Sequence, residues 1–475
     1  MTAPLWTSDA ALAATGGRLT GGVWQAGGVS IDSRTLAAGD LFVAIPGPTH
    51  DGHDFVAAAF ARGAAAALVQ RLPPDLPADA PLLVVDDAMA GLTALAVAAR
   101  TRSAARIVAI TGSVGKTGTK EMLRLALSAE GSTHATQGNL NNHWGVPLSL
   151  ARMPAETAFA VFELGMNHPG EIAPLSRLVR PHLAVITSVE AVHMEFFGST
   201  LEIADAKAEI FEGVEPGGGA VLPRDNPHFA FLANRAAAAG IGRIEGFGSH
   251  IDAEARLLDC AVDPEATLIF ALFDRQAISY RLGVAGRQWA LNSLAALLAA
   301  TGAGAQLETA AAALAAMTAP KGRGQRKRLA WGDGWIEVID ESYNASPVSM
   351  KAAIATLGAA RPTSGGRRIA VLGDMLELGH AAPVLHGGLA AAAVDWSIDR
   401  VFTAGPLMRH LHDALPADRR GGHAGDAGEA AAMVRDAVRA GDVVMIKGSA
   451  GSRMGQVVSS LEQAAMPPKP AINGN

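Results

Sequence analysis

Short runs of branched and aliphatic residues recur along this chain, each followed by a longer helix-compatible segment, and no other feature restricts the fold as much. VSIDS, LFVAI, ALVQ and LLVV fall between Gly22 and about Val85, with an Ala-rich helical stretch near Phe55 to Ala66. RIVAIT, FAVFELG and LAVITSV come next, followed by WIEVIDES, RRIAVLGD, RVFTAG and DVVMIKGS. Runs this apolar suit strands covered on both faces, and their alternation with helices gives mostly parallel sheets. At 475 residues the chain exceeds what one core supports, so an α/β protein of several domains is expected.

Three blocks separate by pattern. Residues 1–100 read as a small N-terminal α/β domain, and residues 101–320 as a central P-loop-type domain with a mostly parallel sheet. Residues 321–466, with helices near Val348 to Leu357 and Gly428 to Val438, read as a doubly wound, Rossmann-like C-terminal domain. The Gly/Lys/Arg-rich stretch Ala319 to Arg328 has the composition of a hinge, and residues 467–475 that of a disordered tail.

Composition narrows the functional classes. A formal net charge of −6 offers no basic footprint for nucleic acid. Cys260 is the single cysteine, so no intrachain disulfide forms and a reducing compartment is expected. No apolar run reaches membrane-spanning length, and MTAPLWTSDAALAATGG lacks a secretory pattern. A soluble cytoplasmic enzyme without membrane insertion is the expectation.

The sharpest local signal is Thr111-Gly112-Ser113-Val114-Gly115-Lys116-Thr117, followed by Gly118. Ile110 stands where a standard GxxxxGK[ST] loop has its first glycine, but an apolar strand precedes the motif and an amphipathic helix follows it. Such a loop turns backbone N–H groups and a helix N-terminus toward phosphate. Lys116 would reach the terminal phosphates and the Thr117 hydroxyl would ligate Mg²⁺. The bland alternative is a Gly-rich turn with an exposed lysine. Downstream, Glu163 ends the strand AVFE and His193 follows AVITSV, both at strand C-termini that face the crevice of an open α/β sheet. Lys207, in IADAKAEIF, reads from composition alone as a solvated helix lysine.

TGSVGKTGTKEM, QGNLNNHWGVP, FELGMNHPGEI, VHMEFFGS, ADAKAEIF and VIDESYNASPVSM occur in an order that closely resembles the Mur ligases. The resemblance runs from IDSRTLAAGDLFVAIPG to KGSAGSRM and implies a UDP-binding, an ATPase and a Rossmann-like domain. ESYNASPVSM after Asp340 resembles the dipeptide-adding branch, and no Asp-Asn-Pro-Arg occurs in the C-terminal block. The nearest string, Asp225-Asn226-Pro227-His228, is central and lacks the arginine. The implied activity is ATP-dependent joining of D-alanyl-D-alanine to a UDP-N-acetylmuramoyl-tripeptide through an acyl phosphate, by a monomer. A sister ligase with another acceptor and a P-loop regulatory NTPase are the alternatives.

By matching position, the resemblance implies that residues Gly112 to Gly118 carry ATP, with Lys116 catalytic. It implies further that Asn292 faces adenine and that Arg323 and Asp340 lie near phosphate and ribose. Thr117, Glu163, His193 and Lys207, the last as a carbamate, would hold two Mg²⁺ ions, with His193 and Lys207 also counted as catalytic. Asp32, Ser33 and Arg34 match the uridine-diphosphate segment. Asn139, Asn142, His143, Tyr343 and Asn344 match groups presented to phosphate and peptide. Glu190, Val192 and Ser346 depart from the family pattern, as does the spacing of KGSAGSRMGQ, so Lys447, Ser449 and Arg453 receive no role.

Overall fold

The computed structural model describes residues 3–465 apart from Asp75, His193, Pro264 and Ser364. The tail expected to be disordered lies outside the described residues. Among those described, the strands form a five-stranded, a nine-stranded and a six-stranded sheet, plus a two-stranded pair.

The five-stranded sheet runs in the order Arg18–Thr20, Leu82–Val84, Ala66–Val69, Asp40–Val43 and Gly28–Ser30, antiparallel only at its first pair. The helix expected near Phe55 to Ala66 is shorter: a 3-10 turn at Gly52–Phe55 leads into Val56–Ala61, and Ala66 already starts a strand. Helix Ala88–Arg102, capped by Asp87 through the Ala90 N–H at 2.7 Å, leads out of this sheet. Its Arg100 Nε donates to the Val179 carbonyl at 2.8 Å, tying it to the central region.

In the nine-stranded sheet, Arg106–Thr111 lies between Phe159–Glu163 and Leu183–Ile186, all parallel. Parallel neighbours put their C-terminal ends at one edge, and so bring the turn after Thr111 beside Glu163 and Thr187. Apolar cores cover both faces of the sheet, as runs without polar alternation require. Helices Lys116–Ser128 and Arg287–Gly302 pack together over one of them. Ala255–Val262 joins Arg243–Gly248 in parallel, and Thr267–Phe273 and Gln276–Leu282 then add two antiparallel pairs to the expected, mostly parallel sheet. Alternating burial along Thr267–Phe273 shows why: Ile269, Ala271 and Phe273 face the core, while Leu268 and Phe270 face solvent.

The six-stranded sheet has the order Gln325–Trp331, Gly334–Glu341, Val443–Lys447, Arg368–Gly373, Arg400–Ala404 and Arg420–Ala424. Only the first pair is antiparallel, and separate cores fill its two faces. The strand Gln325–Trp331 corrects the expected hinge over Ala319 to Arg328. Residues 325–328 of that stretch are paired with Gly334–Glu341, and the turn is confined to residues 321–324. Helix Pro347–Ala359 starts at Ser346, whose hydroxyl accepts from the Ser349 N–H at 3.3 Å in a reciprocal capping box.

Candidate active site

The turn after Thr111 is braced by the segment that follows the neighbouring strand. The Ser113 N–H donates to the Ser188 carbonyl at 2.9 Å, and the Val114 N–H to the Ser188 hydroxyl at 3.0 Å. The Glu190 N–H donates to the Ser113 hydroxyl at 2.9 Å. Gly115 has φ +90°, and a Cβ there would lie 2.8 Å from the Asn292 amide nitrogen. Both the left-handed conformation and the close approach therefore require glycine. Lys116 opens helix Lys116–Ser128, and its Nζ folds back to donate to the Gly112 carbonyl at 2.6 Å. It is no exposed loop lysine. Burial lowers its pKa; the Glu163 carboxylate opposes that shift and the Arg323 guanidinium adds to it.

Thr117 and Glu163 meet across the sheet edge: the Thr117 hydroxyl donates to Glu163 Oε2 at 2.9 Å. Asn141 Nδ2 donates to Glu163 Oε1 at 2.8 Å, and the Glu163 N–H donates to the Thr136 hydroxyl at 3.2 Å. Glu163 is 2% exposed, so this strand-end carboxylate is buried rather than solvated. Asn142 Oδ1 accepts from the Trp144 and Gly145 N–H groups, which commits it to the start of helix Gly145–Ala151. Asn139 and His143 are exposed on the same loop.

Lys207 stands near the end of helix Thr200–Ala208 and is only 2% exposed. Both acidic neighbours are engaged elsewhere. Asp205 pairs with Arg235 at 3.2 Å, and Glu209 accepts from the N–H groups of Gly170, Ile172 and Ala173. Burial, reinforced by the positive charge of Lys116, holds the Lys207 pKa well below the usual lysine value. His193 lies outside the described residues.

A cavity of about 660 Å³ opens between the central and C-terminal regions. Residues 113–118, Glu190, Trp289 and Asn292 line it on one side, and Arg323, Tyr343, Asn344, Lys447 and Ser449 on the other. The Arg323 guanidinium lies 4.1 Å over the Tyr343 ring. Lys447 Nζ donates to the Asn344 carbonyl at 2.8 Å and pairs with Glu341 at 3.3 Å. Asp340 is not among the lining residues; it is buried and accepts from the Ser342 N–H and hydroxyl at 3.1 and 2.6 Å, while Glu341 lines the cavity.

Other expected residues lie apart. Asp32, Ser33 and Arg34 belong to the N-terminal sheet region, where Arg34 grips the Asp32 carboxylate through Nε and Nη2 at 2.9 and 2.7 Å. Arg62 Nη1 donates to the Ser33 carbonyl at 3.3 Å and also to that of Arg34. Arg453 lines a second cavity, of about 320 Å³, with Asp374 and Asp426. The run KGSAGSRM thus divides between two cavities.

Sequence reasoning missed Asn141, which holds Glu163, and Trp289, whose ring closes on Gly118: a Cβ at Gly118 would lie 2.5 Å from it. Asn141 sits inside QGNLNNHWG, but nothing in that string says which asparagine turns inward.

Family comparisons agree with this geometry. The Mur ligase family catalytic domain matches residues 25–100, the Mur ligase middle domain 110–300, and the Mur ligase glutamate ligase domain 322–450. That succession defines the class as a Mur ligase. The UDP-N-acetylmuramoyl-tripeptide–D-alanyl-D-alanine ligase of Bacillus subtilis (strain 168) is 35% identical over 445 residues, covering 92% of this chain and 94% of that protein. A crystal structure of MurF from Acinetobacter baumannii superposes with a TM-score of 0.82 at 29% identity, covering 96% of this chain and 99% of that one. MurF ligase from Thermotoga maritima, in complex with ADP, gives 0.75 at 26% identity over 92% and 97%. The chain belongs to the Mur ligase family, on the branch of the UDP-N-acetylmuramoyl-tripeptide–D-alanyl-D-alanine ligases.

Proposed function

We propose that this chain is a cytoplasmic, monomeric, ATP-dependent ligase joining D-alanyl-D-alanine to the terminal carboxylate of a UDP-N-acetylmuramoyl-tripeptide, a step of peptidoglycan precursor synthesis. One observation carries the reading: Lys116 and Thr117 of the phosphate loop share a cavity with Arg323, Asn344 and Lys447 from the C-terminal region. The relatives' activity and the ADP held by the Thermotoga maritima structure support ATP as the nucleotide. In addition, no helix among the described residues is long and apolar enough to cross a membrane.

A carboxylate is a poor electrophile, and oxide is a poor leaving group. Transfer of the ATP γ-phosphoryl group to it, with release of ADP, gives an acyl phosphate that cures both faults. The dipeptide amine then attacks the carbonyl carbon, loses a proton, and the tetrahedral intermediate expels phosphate. Lys116 offsets charge on the transferring group, and the loop N–H groups orient it. Arg323 and Lys447 bring further positive charge from the opposite wall, and closing the two walls excludes water that would hydrolyse the acyl phosphate.

The oxygen donors Thr117 and Glu163, 2.9 Å apart, suit a hard cation, and Mg²⁺ supplies Lewis-acid charge beside phosphate oxygens when bound. Among the described residues no three His, Cys, Asp or Glu side chains form a ready metal cage. His193, substrate phosphates and Lys207 would complete such a set. A buried ammonium repels a cation; as a carbamate, Lys207 would instead offer two oxygens that share one negative charge. Its neutral amine attacks carbon dioxide, an N–C bond forms, one carbonyl electron pair moves to oxygen, and the nitrogen loses a proton.

Product analysis tests the reading. Purified protein given ATP, the UDP-tripeptide and D-alanyl-D-alanine should form amide and phosphate in equal amounts. Hydrolysis of ATP without amide, or preference for a single amino acid, would overturn it.

A further inference from the structure

Lys120 is 0% exposed, four residues after Lys116 on the same helix, and the reaction as derived makes no use of it. A buried ammonium is costly unless its donors are met, and here they are: Nζ donates to the Thr136 carbonyl at 2.7 Å, reaches the Gly138 carbonyl at 3.5 Å and pairs with Glu121 at 3.0 Å. A methionine would fill the same space, but it could not hold two carbonyl groups.

Those carbonyls belong to the loop leaving Thr133–Ala135, a three-residue strand at the edge of the nine-stranded sheet. The same loop grips Glu163 at two points and Gly165, two residues on, at a third. The Thr136 hydroxyl accepts the Glu163 N–H, Asn141 Nδ2 donates to Oε1, and the Asn141 carbonyl accepts the Gly165 N–H at 2.8 Å. From the other side Thr117, three residues before Lys120, donates to Oε2. One helix therefore reaches Glu163 both directly, through Thr117, and indirectly, through Lys120 and the loop.

We propose that Lys120 is a positioning residue: it ties residues 136–141 to the phosphate-loop helix and so fixes the Glu163 carboxylate and its amide partner as a unit with Thr117. For its effect on cation binding, the proposal rests on the reading of Glu163 as a Mg²⁺ ligand; the loop anchoring stands without it. Groups that orient a metal ligand change affinity about 10–100-fold when removed.

Two measurements on full-length Lys120→Met decide it. In metal-free protein, amide hydrogen exchange should speed up about tenfold or more at Leu140, Asn141, Gly145 and Gly165, while the strand Arg106–Thr111 stays protected. With a non-hydrolysable ATP analogue present, Mn²⁺ binding read by electron paramagnetic resonance should weaken about tenfold. Lys120→Gln, which keeps an uncharged amide donor, should fall between parent and Met variant in both readouts. Unchanged loop exchange, or a uniform loss of protection across the sheet, would overturn the proposal. If Lys120→Met does not fold, Thr136→Val decides by the same two readouts, since it cuts the path one step later. A Glu163→Gln control separates the two claims. Unaltered Mn²⁺ affinity in that control removes the metal reading, and loop exchange then judges Lys120 alone.

Discussion

The Thr117 hydroxyl and the Glu163 carboxylate are hydrogen-bonded at 2.9 Å, although 46 residues separate them in sequence. Adjacent parallel strands create this contact: Glu163 is in register with Ile110, so the helix that begins at Lys116 rises beside it. A strand-end carboxylate and a helix-start hydroxyl thus form one oxygen-rich corner beside the phosphate loop.

Lys116→Ala should cut ligation about a hundredfold or more, the cost of losing a transition-state charge contact. The thermal midpoint should move little, because among the described residues the side chain bonds only the Gly112 carbonyl of its own loop. Near-normal turnover in a stopped assay of amide product would falsify the phosphate-site assignment.

Gly165→Ala should act through its neighbour. A Cβ at Gly165 would lie 2.9 Å from the Asn141 amide carbon and push that amide off Glu163. Activity should then require about tenfold more Mg²⁺. Combined with Asn141→Ala, the loss should be less than the sum of the two singles, since both break one contact. Full additivity in a double-mutant cycle counts against the shared path.

Lys207→Ala should abolish ligation, and small carboxylic acids in the buffer should restore part of it. The pH dependence has a definite sign. Burial holds the folded-state pKa below its unfolded value of about 10.4, so within that window the unfolded chain binds the extra proton. In buffer free of bicarbonate and metal, parent stability should therefore rise with pH up to about 10 and flatten beyond. Lys207→Met should lose that slope. Denaturant titrations across this range give the answer; identical slopes in both proteins count against a buried neutral lysine.

Asp340→Ala should raise the KM for ATP far more than that for the UDP substrate. Its carboxylate does not reach the cavity surface but braces Ser342, next to the Tyr343 ring beneath Arg323. Equal changes in both constants would point to a general folding defect.

Much of this was legible in the sequence because strand order and loop chemistry are local. The apolar run RIVAIT, the glycines and the Lys-Thr pair specify strand, turn and helix within twelve residues. What was not legible depends on distant packing. Asn141 differs from Asn139 and Asn142 only in which one the loop turns toward Glu163, and that choice is set by carbonyls held from another helix. Lys207 read as solvated because composition carries no depth; the neighbours that would have paired with it are taken by Arg235 and by backbone N–H groups. The expected hinge was misjudged for a similar reason. Gln325 to Arg328 look like a flexible basic run, yet Glu337 and Glu462 meet Arg326 and Lys327 and hold them in a strand.

The cavity's two walls come from regions with unequal freedom to change. On one side stand loop residues that the chemistry cannot spare. On the other, beside the charges of Arg323 and Lys447, Val348, Ala352 and Leu376 contribute shape alone. A small inhibitor wedged between the walls would therefore select escape variants in a lopsided way. Drug resistance should accumulate at Val348, Ala352 and Leu376, while Lys116, Thr117 and Gly115 stay invariant in every surviving strain.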